Sequence, residues 1–89
     1  MDNMQDKKQN LILTDRKRLE IDNVVNVDSF NDDYLEISTA LGVIVVEGRM
    51  LKIEELRRDL SKIMVKGEID GIFYKNDKPR TGIFKKKGL

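Results

Sequence analysis

One run constrains this chain more than any other: Val43-Ile44-Val45-Val46, with Gly42 before it and Gly48 just beyond. All four residues are β-branched. Such side chains are stiff at χ1 and suit a packed, pleated surface better than a helix. Glycine marks places where the chain turns or bends cheaply. Upstream, Tyr34-Leu35-Glu36-Ile37-Ser38 alternates polar and apolar, the period of a half-buried strand. The stretch 32–48 is therefore expected to be a hairpin at the centre of the core. It carries no reactive constellation, so the residues alone define a small β domain and no chemistry.

Taken in order, residues 1–10 are polar and aperiodic and are expected to be a disordered lead. Residues 11–75 are expected to form a single β domain, and 76–89 a flexible basic tail. Leu11-Ile12-Leu13 is a short apolar entry, an edge strand or a clip onto the core. Leu19-Glu20-Ile21, Val24 to Asp28, Leu51-Lys52-Ile53, Ile63-Met64-Val65 and Ile69 to Tyr74 each have strand character. Turns are expected at Asn31-Asp32, Leu41-Gly42, Glu47-Gly48 and Lys66-Gly67, and a bulge at Gly71. Phe30 and Tyr34 flank one turn and are expected to pair across strands. Phe30, Tyr34 and Phe73 are assigned to the core. Leu56 and Leu60 have the spacing of a single helical turn, which stays open as an alternative, but the segment is too short for a stable helix. A strand ending near Leu56, then a turn through Ser61, is expected instead.

Two echoes run through this pattern. Leu19-Glu20-Ile21, Leu35-Glu36-Ile37, Leu51-Lys52-Ile53 and Gly67-Glu68-Ile69 start sixteen residues apart. Val45-Val46-Glu47-Gly48 also resembles Met64-Val65-Lys66-Gly67, at a different spacing. A meander of hairpins produces such a period more readily than a β-solenoid. The expected architecture is an all-β, antiparallel sandwich or roll of about six to eight short strands.

Composition narrows the function. There is no His and no Cys. His-based acid–base catalysis, Ser-His-Asp triads, thiol nucleophiles and the usual zinc sites are thereby removed, and so are disulfides. Asp32-Asp33 and Glu54-Glu55 are adjacent carboxylates, and neighbours on a strand point to opposite faces. The glycines lack the spacing of a phosphate-cradling loop. No catalytic, cofactor-binding or metal-ligating residue is assigned, no cofactor is expected, and the chain is expected not to be an enzyme. A net charge of +1 provides no global field for nucleic acid, which is not an expected partner. The basic residues gather at the end, where Phe84, Lys85, Lys86 and Lys87 form a candidate interaction tail capable of weak contact with anionic lipid. No apolar run approaches the roughly 20 residues that span a bilayer. The N-terminus lacks the apolar centre of a secretory signal, so a cytoplasmic location is expected. A domain this small buries only about 60% of its unfolded surface, and without disulfides or metal the common remaining support is self-association or a protein partner.

The order of features resembles the YabP family of sporulation proteins from endospore-forming bacteria. The residues that carry the resemblance are Arg16-Lys17-Arg18-Leu19-Glu20-Ile21, Val24 to Phe30, Leu35 to Gly42, Val46-Glu47-Gly48, Met50 to Ile53, and Val65 to Tyr74. They span about residues 14–75. The sister YqfC group shares the closing part, while the long lead and the basic tail favour YabP. Ser61 departs from the pattern, which has a turn glycine there. The resemblance implies a non-enzymatic role in endospore formation, through protein–protein interaction or scaffolding, and carries over no functional residue. The alternative is a small module that binds nucleic acid or anionic membrane through the basic tail.

Overall fold

The structure, a computed structural model, describes residues 8–75. Its centre is one long hairpin. β5 (Gly42–Arg57, 16 residues) and β6 (Lys62–Lys75, 14 residues) are joined by a 3₁₀ turn at Arg58–Leu60. β1 (Leu11–Thr14) and β2 (Arg18–Ile21) form a hairpin on the β6 side. β3 (Val24–Asn31) and β4 (Tyr34–Thr39) form a second on the β5 side. The result is a six-stranded, wholly antiparallel sheet in the order β1-β2-β6-β5-β4-β3.

Two expected turns prove to lie inside strands. Gly48 and Gly67 do not end strands; they sit at bulges where β5 and β6 bend together. A Cβ on Gly48 would lie 1.9 Å from the Glu68 carbonyl oxygen. Gly67 has φ +137°, and a Cβ there would lie 2.5 Å from the Met50 carbonyl oxygen. Both sites need glycine for close backbone approach, which leaves the same mark in sequence as a turn. The expected short strands 43–46 and 51–53 are thus one strand, as are 63–65 and 69–74. Gly71 does flank a bulge, at Asp70. The central hairpin turns at Ala40-Leu41, one residue earlier than expected, with Thr39 opposite Gly42. There the half-exposed loop is clamped by Thr39, whose hydroxyl donates to the Gly42 carbonyl (2.7 Å) and accepts from the Leu41 N–H (3.2 Å).

The tips of the two outer hairpins dock on the two bulges. The Gly67 and Ile69 N–H groups donate to the carbonyls of Lys17 (3.1 Å) and Arg16 (2.9 Å). The Gly48 and Leu51 N–H groups donate to those of Asp33 (3.2 Å) and Asp32 (2.8 Å). Backbone donors that the bulges release from the ladder are thereby satisfied.

Alternation then selects the core. Leu19 and Ile21 on β2 face Val65 and Ile63 on β6; Leu35 and Ile37 on β4 face Val46 and Ile44 on β5. These eight, with Leu51 and Ile69, form one buried cluster. Cross-strand partners share a face. Both quartets meet in one cluster, so the sheet is rolled about its bulges rather than flat. Val43 and Val45 lie on the opposite face, yet Val45 is only 1% exposed. That explains an apolar run without alternation. The aromatic residues do not join the core: Phe30 and Phe73 are about half exposed and Tyr34 is half-buried. Phe30 pairs with Leu35, and Tyr34 with Asn31, so the two rings face opposite sides of the sheet.

Candidate functional site

The candidate interaction tail, Phe84 to Lys87, lies outside the described residues. On the surface of residues 8–75, three features stand out.

The first is a polar network over Val45. Glu36, which shares its row with Val45 and Phe73, accepts hydrogen bonds from the Tyr34 hydroxyl (2.5 Å) and the Lys75 ammonium (2.9 Å). The tyrosine donor, and then the lysine, hold its carboxyl below the ordinary carboxylate range. The same bond raises the Tyr34 phenol. Beside it Asp28 accepts from Ser38 (2.5 Å) and Asn26 (2.7 Å), which lower its carboxyl likewise. At the opposite end, burial opposes the ionisation of Asp22, but the Asn10 backbone and side-chain donors outweigh it and its carboxyl is lowered.

The second is a lateral row of cations. Arg18, Lys66 and Lys52 are direct cross-strand partners on β2, β6 and β5. Like charges placed opposite one another repel. Lys66 is balanced by Glu54 at 3.3 Å. The row opens on a surface cleft of about 540 Å³ whose lining also includes Lys17 and Met50 and two carboxylates, Asp15 and Glu68. Sequence reading cannot find this row, because its members come from three distant segments.

The third is the pair of sheet edges. β3 is broken by two register shifts and bears Asn26, Asp28 and Ser29. β1 has an unbroken register, and its Leu11, Ile12 and Leu13 are 36%, 51% and 45% exposed. Bulges and charges are the usual protection of an edge, and β1 has neither. The sequence marked these residues as an edge strand or a clip; they form the edge.

The adjacent carboxylates do not converge. Asp32 and Asp33 form the β3–β4 turn, while Glu54 meets Lys66 and Glu55 meets Arg58 (3.4 Å). Among the described residues, no three acidic side chains are grouped as metal ligands would be. No helix there is long and apolar enough to cross a membrane.

These features define the class: a small antiparallel β domain, one sheet rolled around a single core. Within that class, the chain belongs to the YabP family, whose model matches residues 5–81. No curated protein matches the chain.

Proposed function

We propose that the protein is a non-enzymatic component of endospore formation that works by protein–protein contact in the cytoplasm of the sporulating cell. The observation that carries this reading is the β1 edge, unguarded among the described residues, where Leu11, Ile12 and Leu13 are each partly exposed. A strand edge binds through main-chain hydrogen bonds, and the alternate side chains add selectivity. Membership of the YabP family supports the sporulation context. The test is deletion of the gene in its endospore-forming host and a count of heat-resistant spores. A reduced count, restored by the wild-type gene but not by one carrying Leu13→Pro, is expected. Undiminished spore number and resistance in the deletion strain would overturn the proposal.

A second reading, contact with nucleic acid or anionic membrane through Phe84 to Lys87, draws support from the Arg18-Lys66-Lys52 row. It requires binding to either polyanion that weakens steeply with salt and is lost with Lys85 to Lys87.

A further inference from the structure

The parity of the β1–β2 ladder settles which backbone groups of β1 look outward. The Asp22 N–H donates to the Asn10 carbonyl (3.3 Å), so the Asn10–Asp22 position is a hydrogen-bonded one. Hydrogen-bonded and non-hydrogen-bonded pairs alternate along an antiparallel ladder. Leu11 and Leu13, opposite Ile21 and Leu19, are therefore non-hydrogen-bonded positions. Their N–H and C=O groups point away from β2, and Ile12 turns its own groups inward to Glu20.

That parity fixes how the edge can be extended. In a new antiparallel partner, Leu11 and Leu13 must occupy hydrogen-bonded positions and Ile12 a non-hydrogen-bonded one. A second copy of β1 meets the requirement by a two-fold axis through Ile12. Leu11 then faces the partner's Leu13, Leu13 faces the partner's Leu11, and Ile12 faces its own symmetry mate. All four outward-facing groups of Leu11 and Leu13 find partners. Every apolar side chain of the strand lies opposite an apolar one, and no charge opposes another within it. Registers centred on Leu11 or Leu13 place Gln9, Asn10, Thr14 or Asp15 opposite the apolar side chains instead.

The fold sharpens the contrast. β1 and β3 occupy equivalent ends of the sheet order. Only β3 carries bulges and a carboxylate, Asp28. Among the described residues, one edge is thus closed to pairing and the other left open, so growth stops at two copies.

We propose that the protein self-associates by antiparallel β1–β1 pairing centred on Ile12, joining two six-stranded sheets into one. This deepens the reading of β1 as a contact edge by naming a second copy of the chain as its occupant. A four-residue strand is a small interface, well below the roughly 800 Å² per partner of standard complexes, so the dimer is concentration-dependent.

The experiment uses the full chain. The solution mass, 10.3 kDa for the monomer, is expected to double between micromolar and near-millimolar protein. Leu13→Pro removes an outward N–H and no bond to β2, so it is expected to abolish the doubling while leaving the circular dichroism spectrum unchanged. Independently, Ile12→Cys places the only thiol of the chain at the axis. Facing Cα atoms at a non-hydrogen-bonded pair are about 4.5 Å apart, within reach of a disulfide. Oxidised glutathione is expected to convert this variant to a covalent dimer, and to leave Val25→Cys, on the 70% exposed Val25 of β3, largely monomeric. A wild-type monomer at every concentration, or equal cross-linking at both positions, would overturn the proposal. Either result leaves the sporulation role to be judged by spore counts, so the two readings fail separately.

Discussion

Backbone conformation at single residues decides how far the long hairpin can bend. Among the described residues, five non-glycine residues have positive φ: Asp15, Arg16, Asn23, Met50 and Ser61. Met50 lies beside Gly67 at the bulge, where its carbonyl fills the space a Cβ would need. Gly67→Ala therefore combines a left-handed φ with a clash against rigid backbone. It is expected to destabilise the domain by about 2–4 kcal/mol, more than an ordinary surface change, in urea denaturation. A loss under about 1 kcal/mol would mean that the bulge relaxes freely. Ser61 presents the opposite case. It closes the 3₁₀ turn at φ 50°, ψ 46°, with its N–H on the Arg58 carbonyl. Its own carbonyl accepts from the Val24 N–H (3.0 Å), and glycine preserves both bonds. Ser61→Gly removes the left-handed penalty of an L-residue, so a gain of roughly 0.5–1 kcal/mol is expected. The glycine expected at this turn from the resemblance would suit the left-handed φ that Ser61 adopts.

At the scale of elements, strand identity was legible in the sequence and strand extent was not. Alternation at Leu19-Glu20-Ile21 and Leu35-Glu36-Ile37 marked β2 and β4 correctly. The end of β5 and the turn through Ser61 also stand, and the turn contains one 3₁₀ turn, Arg58–Leu60, the single helical turn that the spacing of Leu56 and Leu60 left open. Gly48 and Gly67 misled because a bulge and a turn make the same demand on one residue. The aromatic residues misled because composition does not reveal that β3 and the end of β6 leave one flank open. The cation row was invisible because register, not sequence distance, assembles it. The β4–β5–β6 outer network yields a pH prediction. The Glu36 carboxyl is held below its ordinary value by the Tyr34 hydroxyl and then Lys75. A folded-state pKa below the unfolded one stabilises the fold fully above the unfolded value and is lost as pH falls through the folded value. Stability is thus expected to decline below about pH 4.3, with Asp28 contributing in the same direction at its own slightly lower range. Tyr34→Phe is expected to move the Glu36 carboxyl back towards its ordinary value in an NMR titration and to flatten the acid limb of stability. An unmoved Glu36 titration would show that Lys75 alone holds it.

The whole molecule contains itself twice. The hairpin β1–β2 with the first half of β6 repeats as β3–β4 with the first half of β5. Leu19↔Val65 and Ile21↔Ile63 reappear as Leu35↔Val46 and Ile37↔Ile44, and Arg18↔Lys66 as Tyr34↔Glu47. Within the long hairpin, Val46↔Ile72 mirrors Ile53↔Val65, and Ile44↔Tyr74 mirrors Glu55↔Ile63. The approximate two-fold axis passes between Arg49 and Glu68, which pair with each other. One tip-to-bulge bond obeys it as well, with Lys17 to Gly67 matching Asp33 to Gly48, while the second is offset by one residue, Arg16 to Ile69 against Asp32 to Leu51. The Val-x-Gly echo is its trace, linking the two bulged strands, and so is the first step of the sixteen-residue period, Leu19 to Leu35, which links the outer hairpins; the later steps, to Leu51 and Gly67, join residues that the axis does not exchange. The two spacings differ because the loops between the repeats do. Equivalent core positions should therefore bear equal loads. Val46 and Val65 are both fully buried and each sits opposite a leucine on its outer hairpin. Truncating either to alanine removes two methyl groups and leaves a small cavity, at about 2 kcal/mol. Val46→Ala and Val65→Ala are expected to agree within ~0.5 kcal/mol in urea denaturation, a tolerance comparable to that of additive sites. A much larger loss at one site would show that one repeat carries the fold and the other is appended to it. Equal losses would make the two halves energetic as well as geometric mates, leaving the edge strands, bulged in one half and regular in the other, as the place where the approximate symmetry ends.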